Sequence, residues 1–486
     1  MAEAVSAQAA LGTITVPSFT EQDQIAFGRL SGDINPVHVD SDAARRTMFG
    51  RPIVHGMHLV LRAIDVLAKT GMTQAYCAIS ARFHRPVYLG EPLSVTTSPR
   101  LDGGLDLVLS SDNAQLAAFS LSGPPIPVEH DWVGEPCAWD MTPRDLAIEQ
   151  MADAKGSLPL PYDAEEIRRQ FPALAALYGP GVVAHMMAIT RVIGMEVPGL
   201  HSMFATFSLR LLGGTDTRLD YRVARTSAKL SHVKVMFESA TLGGSAEAFV
   251  RPTSRALGFH DVAAHVRTDE FAGRRCLVVG GSRGLGLVTA YMIAAGGGEV
   301  VLTYRVGKEE ADTAVQAIRD RGLAASALQM DVHAPEPAFQ ALSERGFAPT
   351  DMFYFATPHI FVRKKKLFEN DIFNDFVRVY VDDFMVAVDR AAAIAQGKLS
   401  VFYPSSQALD SPLADLAEYC IAKAGGEAAC DMLNRFNGDV SVIVERLPRI
   451  ETDQTSTLID VPTADPVPIM IDVCRRMRQQ PGQRRA

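Results

Sequence analysis

The sequence predicts an α+β region followed by an α/β domain built on a doubly wound parallel sheet. Three observations carry that division. In the last third, short apolar runs alternate with helical stretches, the rhythm of parallel strands joined by crossover helices. Before it, two successive regions each show an apolar helix followed by alternating, strand-like segments. Those regions also echo one another. Pro52-Ile53-Val54-His55-Gly56-Met57 followed by Ser80-Ala81-Arg82-Phe83 is matched by Gly181-Val182-Val183-Ala184-His185-Met186-Met187 followed by Phe207-Ser208-Leu209-Arg210, a pattern of degenerate duplication.

In chain order, residues 1–135 are expected as one domain and 136–258 as its degenerate copy. Residues 259–272 read as a linker, within a polar stretch that begins at Arg251, and 273–486 as the α/β domain. There, Cys276-Leu277-Val278-Val279 reads as a strand buried on both faces, and a Gly-rich turn and a helix over Leu287 to Ala295 follow. Further strands are expected at Glu299 to Tyr304, Ala325 to Met330, Met352 to Phe355 and Leu399 to Tyr403, with a helix at Glu309 to Arg321.

At 486 residues the chain is too long for a single core. Hydrophobic residues make up 47% and charged residues 21%, the balance of ordinary globular protein, and the net charge of −9 argues against a nucleic-acid partner. The basic stretch from Arg475 to Arg485 reads as a solvated terminus. Six cysteines without a CxxC pair suggest reduced thiols. The first residues lack a cationic start and a long apolar core, and no run of about 18 apolar residues occurs, so a soluble cytoplasmic protein is expected.

Two clusters of residues carry chemistry. The first is Ser31-Gly32-Asp33-Ile34-Asn35-Pro36-Val37-His38, followed by Phe49-Gly50-Arg51-Pro52-Ile53-Val54-His55-Gly56-Met57. Pro36 ends a helix and restricts its predecessor, so Asp33 and His38 are presented on a loop. A carboxylate and a neutral imidazole form an acid/base pair able to move one proton beside a carbonyl and another on a hydroxyl. Gly56, opening an apolar helix, would present backbone N–H groups to a developing oxyanion. His55, His58, His185 and His201 read as packing or polar-satisfied residues.

These motifs, with Asp40 and the later Arg82-Phe83-x-Arg85-Pro86-Val87 and Gly90, resemble the MaoC-like family of hot-dog-fold (R)-specific enoyl-thioester hydratases and dehydratases. The resemblance implies that Asp33 and His38 are the catalytic pair and that Gly56 donates to the thioester oxygen. It also implies that Asn35 orients the loop or contacts substrate water. Residues 1–258 would then form a double hot dog whose second copy, lacking the Asp/His pair, shapes an acyl tunnel.

The second cluster opens with Gly280-Gly281-Ser282-Arg283-Gly284-Leu285-Gly286, a turn that follows a strand and opens a helix. Its glycines let the backbone approach a pyrophosphate at a helix N-terminus. Arg283 and Arg305 stand where an acidic residue would bind an NAD ribose, so NADP(H) is the expected cofactor. Asp331 after the third strand reads either as an acceptor from adenine or as a helix cap. Tyr419 and Lys423 share one helix face, and a nearby lysine cation would make the phenol a usable acid/base. Ser406 precedes them and can hydrogen-bond a substrate carbonyl.

This region resembles the short-chain dehydrogenase/reductase family and, within it, the 3-oxoacyl-thioester reductases. The resemblance runs through the Gly280–Gly286 turn of this Rossmann domain, Tyr304-Arg305, Met330-Asp331-Val332, Ser406, Tyr419 and Lys423. Pro448 and Thr452-Asp453 resemble the loop that closes over nicotinamide. Three positions depart from the family pattern. Tyr354-Phe355-Ala356-Thr357 replaces the usual Asn-Asn-Ala-Gly, Val381 stands nearest the usual catalytic asparagine, and Val279 replaces the usual threonine. Together the resemblances imply a bifunctional enzyme that reduces a 3-oxoacyl thioester on coenzyme A or an acyl carrier protein, then dehydrates the product. A homo-oligomer is expected by family analogy. The alternatives are a chain with one working site, or a hot-dog half that serves only as a dimerisation and positioning module.

Overall fold

The computed structural model describes residues 12–112, 114–126, 139–160, 163–252, 257–361, 367–452, 455 and 461–479. The chain divides into two compact units, residues 1–253 with 457–460 and residues 254–456 with 461–486.

The first unit is a sheet wrapped against helices. Its strands are β1 (Ile14–Val16), β2 (Tyr76–Phe83), β3 (Leu93–Pro99), β4 (Leu105–Ser111), β5 (Ala114–Pro125), β6 (Lys155–Pro159), β7 (Ser202–Leu211), β8 (Arg218–Ser227), β9 (His232–Glu238) and β10 (Leu242–Val250). They form one sheet in the order β1-β3-β4-β5-β2-β7-β10-β9-β8-β6. Read outward from the centre, the order β2-β5-β4-β3-β1 has the same connectivity as β7-β10-β9-β8-β6. The echoed segments of the sequence meet at that centre, where Ser80 lies opposite Ser208 and Ala81 opposite Phe207.

Two helices cover this sheet. Gly56–Lys69 buries Met57, Val60, Leu61, Ile64 and Leu67 along one stripe, at the helical period expected of a core-facing helix. Pro180–Arg191 buries Val183, Met186, Met187 and Ile189, then continues as a π-helical turn, Val192–Glu196. One hydrophobic cluster contains the apolar residues of both halves, so they share a core and do not pack as separate domains. The expected boundary near residue 135 falls in 127–138, outside the described residues.

The second unit is a parallel sheet of β11 (Arg275–Val279), β12 (Glu299–Tyr304), β13 (Ala325–Gln329), β14 (Asp351–Tyr354), β15 (Leu399–Ser406) and β16 (Val440–Leu447). Its order is β13-β12-β11-β14-β15-β16, and every neighbouring pair is parallel. Alternate residues of β11 enter different cores: Cys276 and Val278 on one face, Leu277 and Val279 on the other. The order reverses between β11 and β14, and ligands of such sheets bind outside the strand ends at that point. β16 had no counterpart among the sequence expectations.

Two expectations are corrected here. Residues 259–272 are not a linker: Phe259–Ala263 is a helix, and Phe259, Val262 and Phe271 are buried in the second unit's core. Three apolar anchors hold a stretch that reads as polar. The basic residues Arg475 and Arg476 belong to the helix Pro466–Arg478 and pair with Glu270 and Glu445, each at 2.7 Å. Among the described residues no single helix is long and apolar enough to cross a membrane.

Asp65 ties the helices of the first unit together. Fully buried, it accepts from the backbone N–H groups of Ala173 and Leu174 at 2.8 and 2.9 Å and pairs with Lys69 at 2.7 Å. Asp65→Ala leaves two N–H groups without an acceptor and should lower the unfolding free energy by about 2–3 kcal/mol. Urea unfolding read by circular dichroism checks this, and a loss near zero would contradict it.

Candidate active sites

The first site begins where the helix Glu21–Ser31 stops. Gly32 takes φ +72°, and a Cβ there would collide with the Trp139 ring, so only glycine permits this turn. Asp33 then enters the protein interior. Asn35 caps the short helix Pro36–Val39 by accepting from Val37 N at 3.2 Å, and that helix carries His38.

Asn35 is itself buried, and its amide donates to the carbonyls of Gly194, Gly199 and Leu200 at 2.8, 3.1 and 3.2 Å. It therefore orients the loop by gripping the second half of the unit. Its amide nitrogen is spent on backbone carbonyls, as the loop-orienting alternative requires.

The carboxylate of Asp33 and the imidazoles of His38 and His55 place ligand atoms within 4.8 Å of one another. His38 Nδ1 lies 2.8 Å from the Ile53 carbonyl, so Nδ1 carries the proton and Nε2 keeps its lone pair. Burial lowers the His38 pKa to about 3, helped by the neighbouring His55. Burial raises the Asp33 pKa, while His38 and the Thr190 hydroxyl oppose that rise. His55 spends Nδ1 on Gln24 Oε1 at 2.8 Å and Nε2 on the Asp33 carbonyl at 2.9 Å, with its ring stacked 3.8 Å from His38. His38, with Nδ1 on the Ile53 carbonyl, offers its Nε2 lone pair beside the Asp33 carboxylate, a pairing that suits proton transfer.

Gly56 is the first residue of Gly56–Lys69, and no side chain caps that helix. Its Cβ would lie 2.9 Å from the Phe83 ring, so glycine is required by close packing as well as by any role for its N–H.

Several contributors were not visible in the sequence. Thr190 donates to Asp33 Oδ2 at 2.7 Å across 157 residues of chain. A Cβ on Gly194, in the π-helical turn, would lie 2.3 Å from Asp33 Oδ1. Gln24 and His55 support the pair from the first half. His55 is the one that carried a signal, since it stands in the same motif as Gly56.

In the second unit, Gly280 and Gly284 adopt φ +77° and +56°, and a Cβ on Gly286 would lie 2.3 Å from the Gly280 carbonyl. Such contacts admit only glycine and leave the N-terminus of Gly284–Ala295 bare, with Arg283 at the cap and no side-chain cap bond. Val279 offers no hydroxyl, but Thr303 on β12 accepts from Gly280 N at 3.2 Å. Ser282 is buried, and Leu285 packs against the core. Arg305 is exposed just past β12. Asp331 accepts from His333 N at 3.0 Å in a turn, so it does not cap the helix Glu336–Glu344, and it stands beside half-buried Val332. Thr452 approaches the turn at Gly284, while Asp453 lies outside the described residues. The cradle therefore fits a dinucleotide pyrophosphate.

Tyr419 and Lys423 lie on Ala417–Phe436, with the Ser406 hydroxyl beside the phenol. The expected activation by Lys423 is corrected. Burial raises the Tyr419 pKa, and Ser406 is the group that opposes it. Lys423 Nζ instead donates to the Pro404 carbonyl at 2.7 Å and lies 3.8 Å from the centre of the Tyr380 ring. Burial brings its own pKa down to about 7. Val381 reaches Gly425 of the same helix, so an apolar contact occupies the position where the family pattern has an asparagine.

The fold and sites define a chain with an acid/base unit followed by a dinucleotide-binding unit. Residues 6–99 match the MaoC like domain family and residues 274–452 the short chain dehydrogenase family. The (R)-specific enoyl-CoA hydratase of Aeromonas caviae is 32% identical over 110 residues, 22% of this chain and 82% of that protein. The chain thus belongs to the MaoC-like family, with a short-chain dehydrogenase domain fused behind it. The peroxisomal multifunctional enzyme type 2 of Drosophila melanogaster is 37% identical over 84 residues, 17% of this chain but only 14% of that enzyme. Among solved structures, the NADP-bound angucycline C-6 ketoreductase LanV is 20% identical, covering 43% of this chain and 90% of that one with a TM-score of 0.39.

The buried histidines make a pH prediction. His38, His55 and His58 all have folded pKa values below 6.5, with burial as the first cause. A depressed histidine makes the unfolded chain bind more protons, so stability falls as pH drops below about 6.5. Asp33, shifted upward, opposes them, but burial also lowers His185 and His201, so it is one group against five. The urea midpoint of the first unit should fall between pH 7 and pH 5, with each histidine contributing about 1.4 kcal/mol per pH unit at most. A midpoint that holds steady or rises would contradict the neutral histidines.

Proposed function

We propose that the chain is a bifunctional enzyme of acyl-thioester metabolism: an NADPH-dependent 3-oxoacyl-thioester reductase and an (R)-3-hydroxyacyl-thioester dehydratase. The observation that carries this reading is the pairing of buried Asp33 with part-buried His38 beside the uncapped helix at Gly56, on one chain with a glycine cradle and a Tyr419/Ser406 pair. In this reading the ten-stranded sheet is a double hot dog.

In dehydration, His38 Nε2 removes the proton from C2 and Asp33 protonates the leaving hydroxyl, so water departs and the C2–C3 double bond forms. Backbone N–H groups at Gly56 hold the charge that develops on the thioester oxygen. The pair ends with its one proton on His38, and transfer to Asp33 resets it. Hydration runs through the same two states in reverse. Burial favours the proton on Asp33, the form that starts dehydration.

In the second unit, Gly280, Ser282, Gly284, Leu285 and Gly286 would hold the dinucleotide pyrophosphate, and Arg283 and Arg305 a 2′-phosphate. Asp331, Val332 and Thr452 would line the rest of that site. The bound nicotinamide supplies hydride to C3 of the 3-oxoacyl group. Ser406 hydrogen-bonds the substrate carbonyl, and Tyr419 donates the proton to its oxygen. Lys423 would join the cofactor site, but its ammonium is held by the Pro404 carbonyl and the Tyr380 ring. That orientation favours a second reading, in which the reductase is a degenerate partner of a working hydratase. A coenzyme A or carrier-protein thioester, a homo-oligomer and a cytoplasmic setting complete the proposal.

The half-reactions separate the sites. His38→Ala should lower enoyl-thioester hydration by about 10²–10⁴-fold and leave NADPH-dependent ketone reduction unchanged, while Tyr419→Phe should do the reverse. Reduction by the unmodified chain that Tyr419→Phe leaves intact would overturn the reductase assignment. Hydration that survives His38→Ala would overturn the other.

A further inference from the structure

Arg251 is an uncommon residue in its setting. It follows β10, is only 8% exposed, and has no acidic partner among the described residues. Its one side-chain hydrogen bond runs from Nη2 to the Leu200 carbonyl at 2.6 Å, and its buried Nε has no partner. The acid of that neighbourhood, Asp145, is exposed and pairs with His201 at 3.2 Å. Burial lowers the Arg251 pKa only to about 10, so the guanidinium stays charged at neutral pH. A charge kept out of water without a counter-ion is strongly disfavoured, so its retention calls for an anion that arrives with a ligand.

Its place decides which anion. The Leu200 carbonyl that accepts from Arg251 also accepts from the Asn35 amide. Arg251 therefore stands two hydrogen bonds from the residue that orients the Asp33/His38 loop, and its charge is felt at both His38 and His201. The phosphates of a thioester carrier lie a full pantetheine arm away from the reacting carbons. A group on the acyl chain lies only a few bonds away.

We infer that Arg251 is a specificity-determining residue that pairs with a carboxylate carried by the acyl group, so that the first site favours short acyl thioesters with a second, free carboxylate. The inference rests on the hydratase reading of that site. The planar guanidinium, with Nε and a terminal nitrogen along one edge, suits bidentate pairing with a carboxylate. Pairing would satisfy Nε and neutralise the buried charge together.

The test compares hydration of trans-2-pentenoyl-CoA and glutaconyl-CoA, which differ by a terminal methyl in place of a carboxylate. The unmodified chain should prefer glutaconyl-CoA by about tenfold or more in kcat/KM. Arg251→Met should cut that value roughly 100-fold while changing pentenoyl-CoA less than about threefold, and Arg251→Lys should keep part of the preference. Full activity of Arg251→Met on pentenoyl-CoA also shows that the variant folds. No preference in the unmodified chain, or an equal loss on both substrates, overturns the inference. A loss on pentenoyl-CoA that disappears with pentenoyl-pantetheine, which lacks phosphate, assigns the anion to the carrier and also overturns it. Hydration of neither thioester by the unmodified chain defeats the hydratase reading itself.

Discussion

The first site depends on one buried carboxamide. Asn35 stands between the acid and the base in sequence, and its amide is held by three carbonyls from the other half of the unit. Those bonds tie the turn between Asp33 and the short helix that carries His38 to the other half of the unit. The second half consequently helps to build the site. Thr190 hydrogen-bonds the acid, and the π-helical turn brings Gly194 against it, in a register that a regular helix would not give. This half, which has no Asp/His motif of its own, supports the motif of the other half.

The second unit shows a different balance. Its glycine turn is built by contacts that no side chain could share, and Thr303 on the next strand replaces the hydroxyl that Val279 lacks. The proton-handling end has changed more. Where a polar relay is expected, the chain has Val381 and the Tyr380 ring, and Lys423 turns toward that ring. Burial lowers the lysine's proton affinity and raises the tyrosine's, so each is pushed toward its neutral form.

The sequence was most legible where chemistry restricts residue type at short spacing. Asp33, His38 and Gly56, and the run from Gly280 to Gly286, each announce a turn or helix start with a reactive group attached. Strand and helix alternation in the second unit was equally clear, apart from β16. Thr190, Gly194 and Arg251 were not legible, because their meaning comes from contacts that sheet pairing creates between distant segments. The misread linker has a related cause: Phe259, Val262 and Phe271 are spaced too widely among polar residues to show a periodic face, yet each fills the core. The orientation of Lys423 was not legible for another reason. Spacing put it on the right helix face, but the ring of Tyr380 and the Pro404 carbonyl decide where its ammonium points.

The central claim is that one chain carries two chemistries that meet at a common intermediate. The most direct measurement gives the purified protein NADPH and a 3-oxoacyl-CoA, then follows absorbance at the nicotinamide band and the mass of the thioester products. The account predicts NADPH loss with appearance of the enoyl thioester. For the Asp33→Asn variant it predicts the same NADPH loss with accumulation of the 3-hydroxyacyl thioester. No NADPH loss with any 3-oxoacyl thioester, from a chain that still hydrates an enoyl thioester, would contradict it.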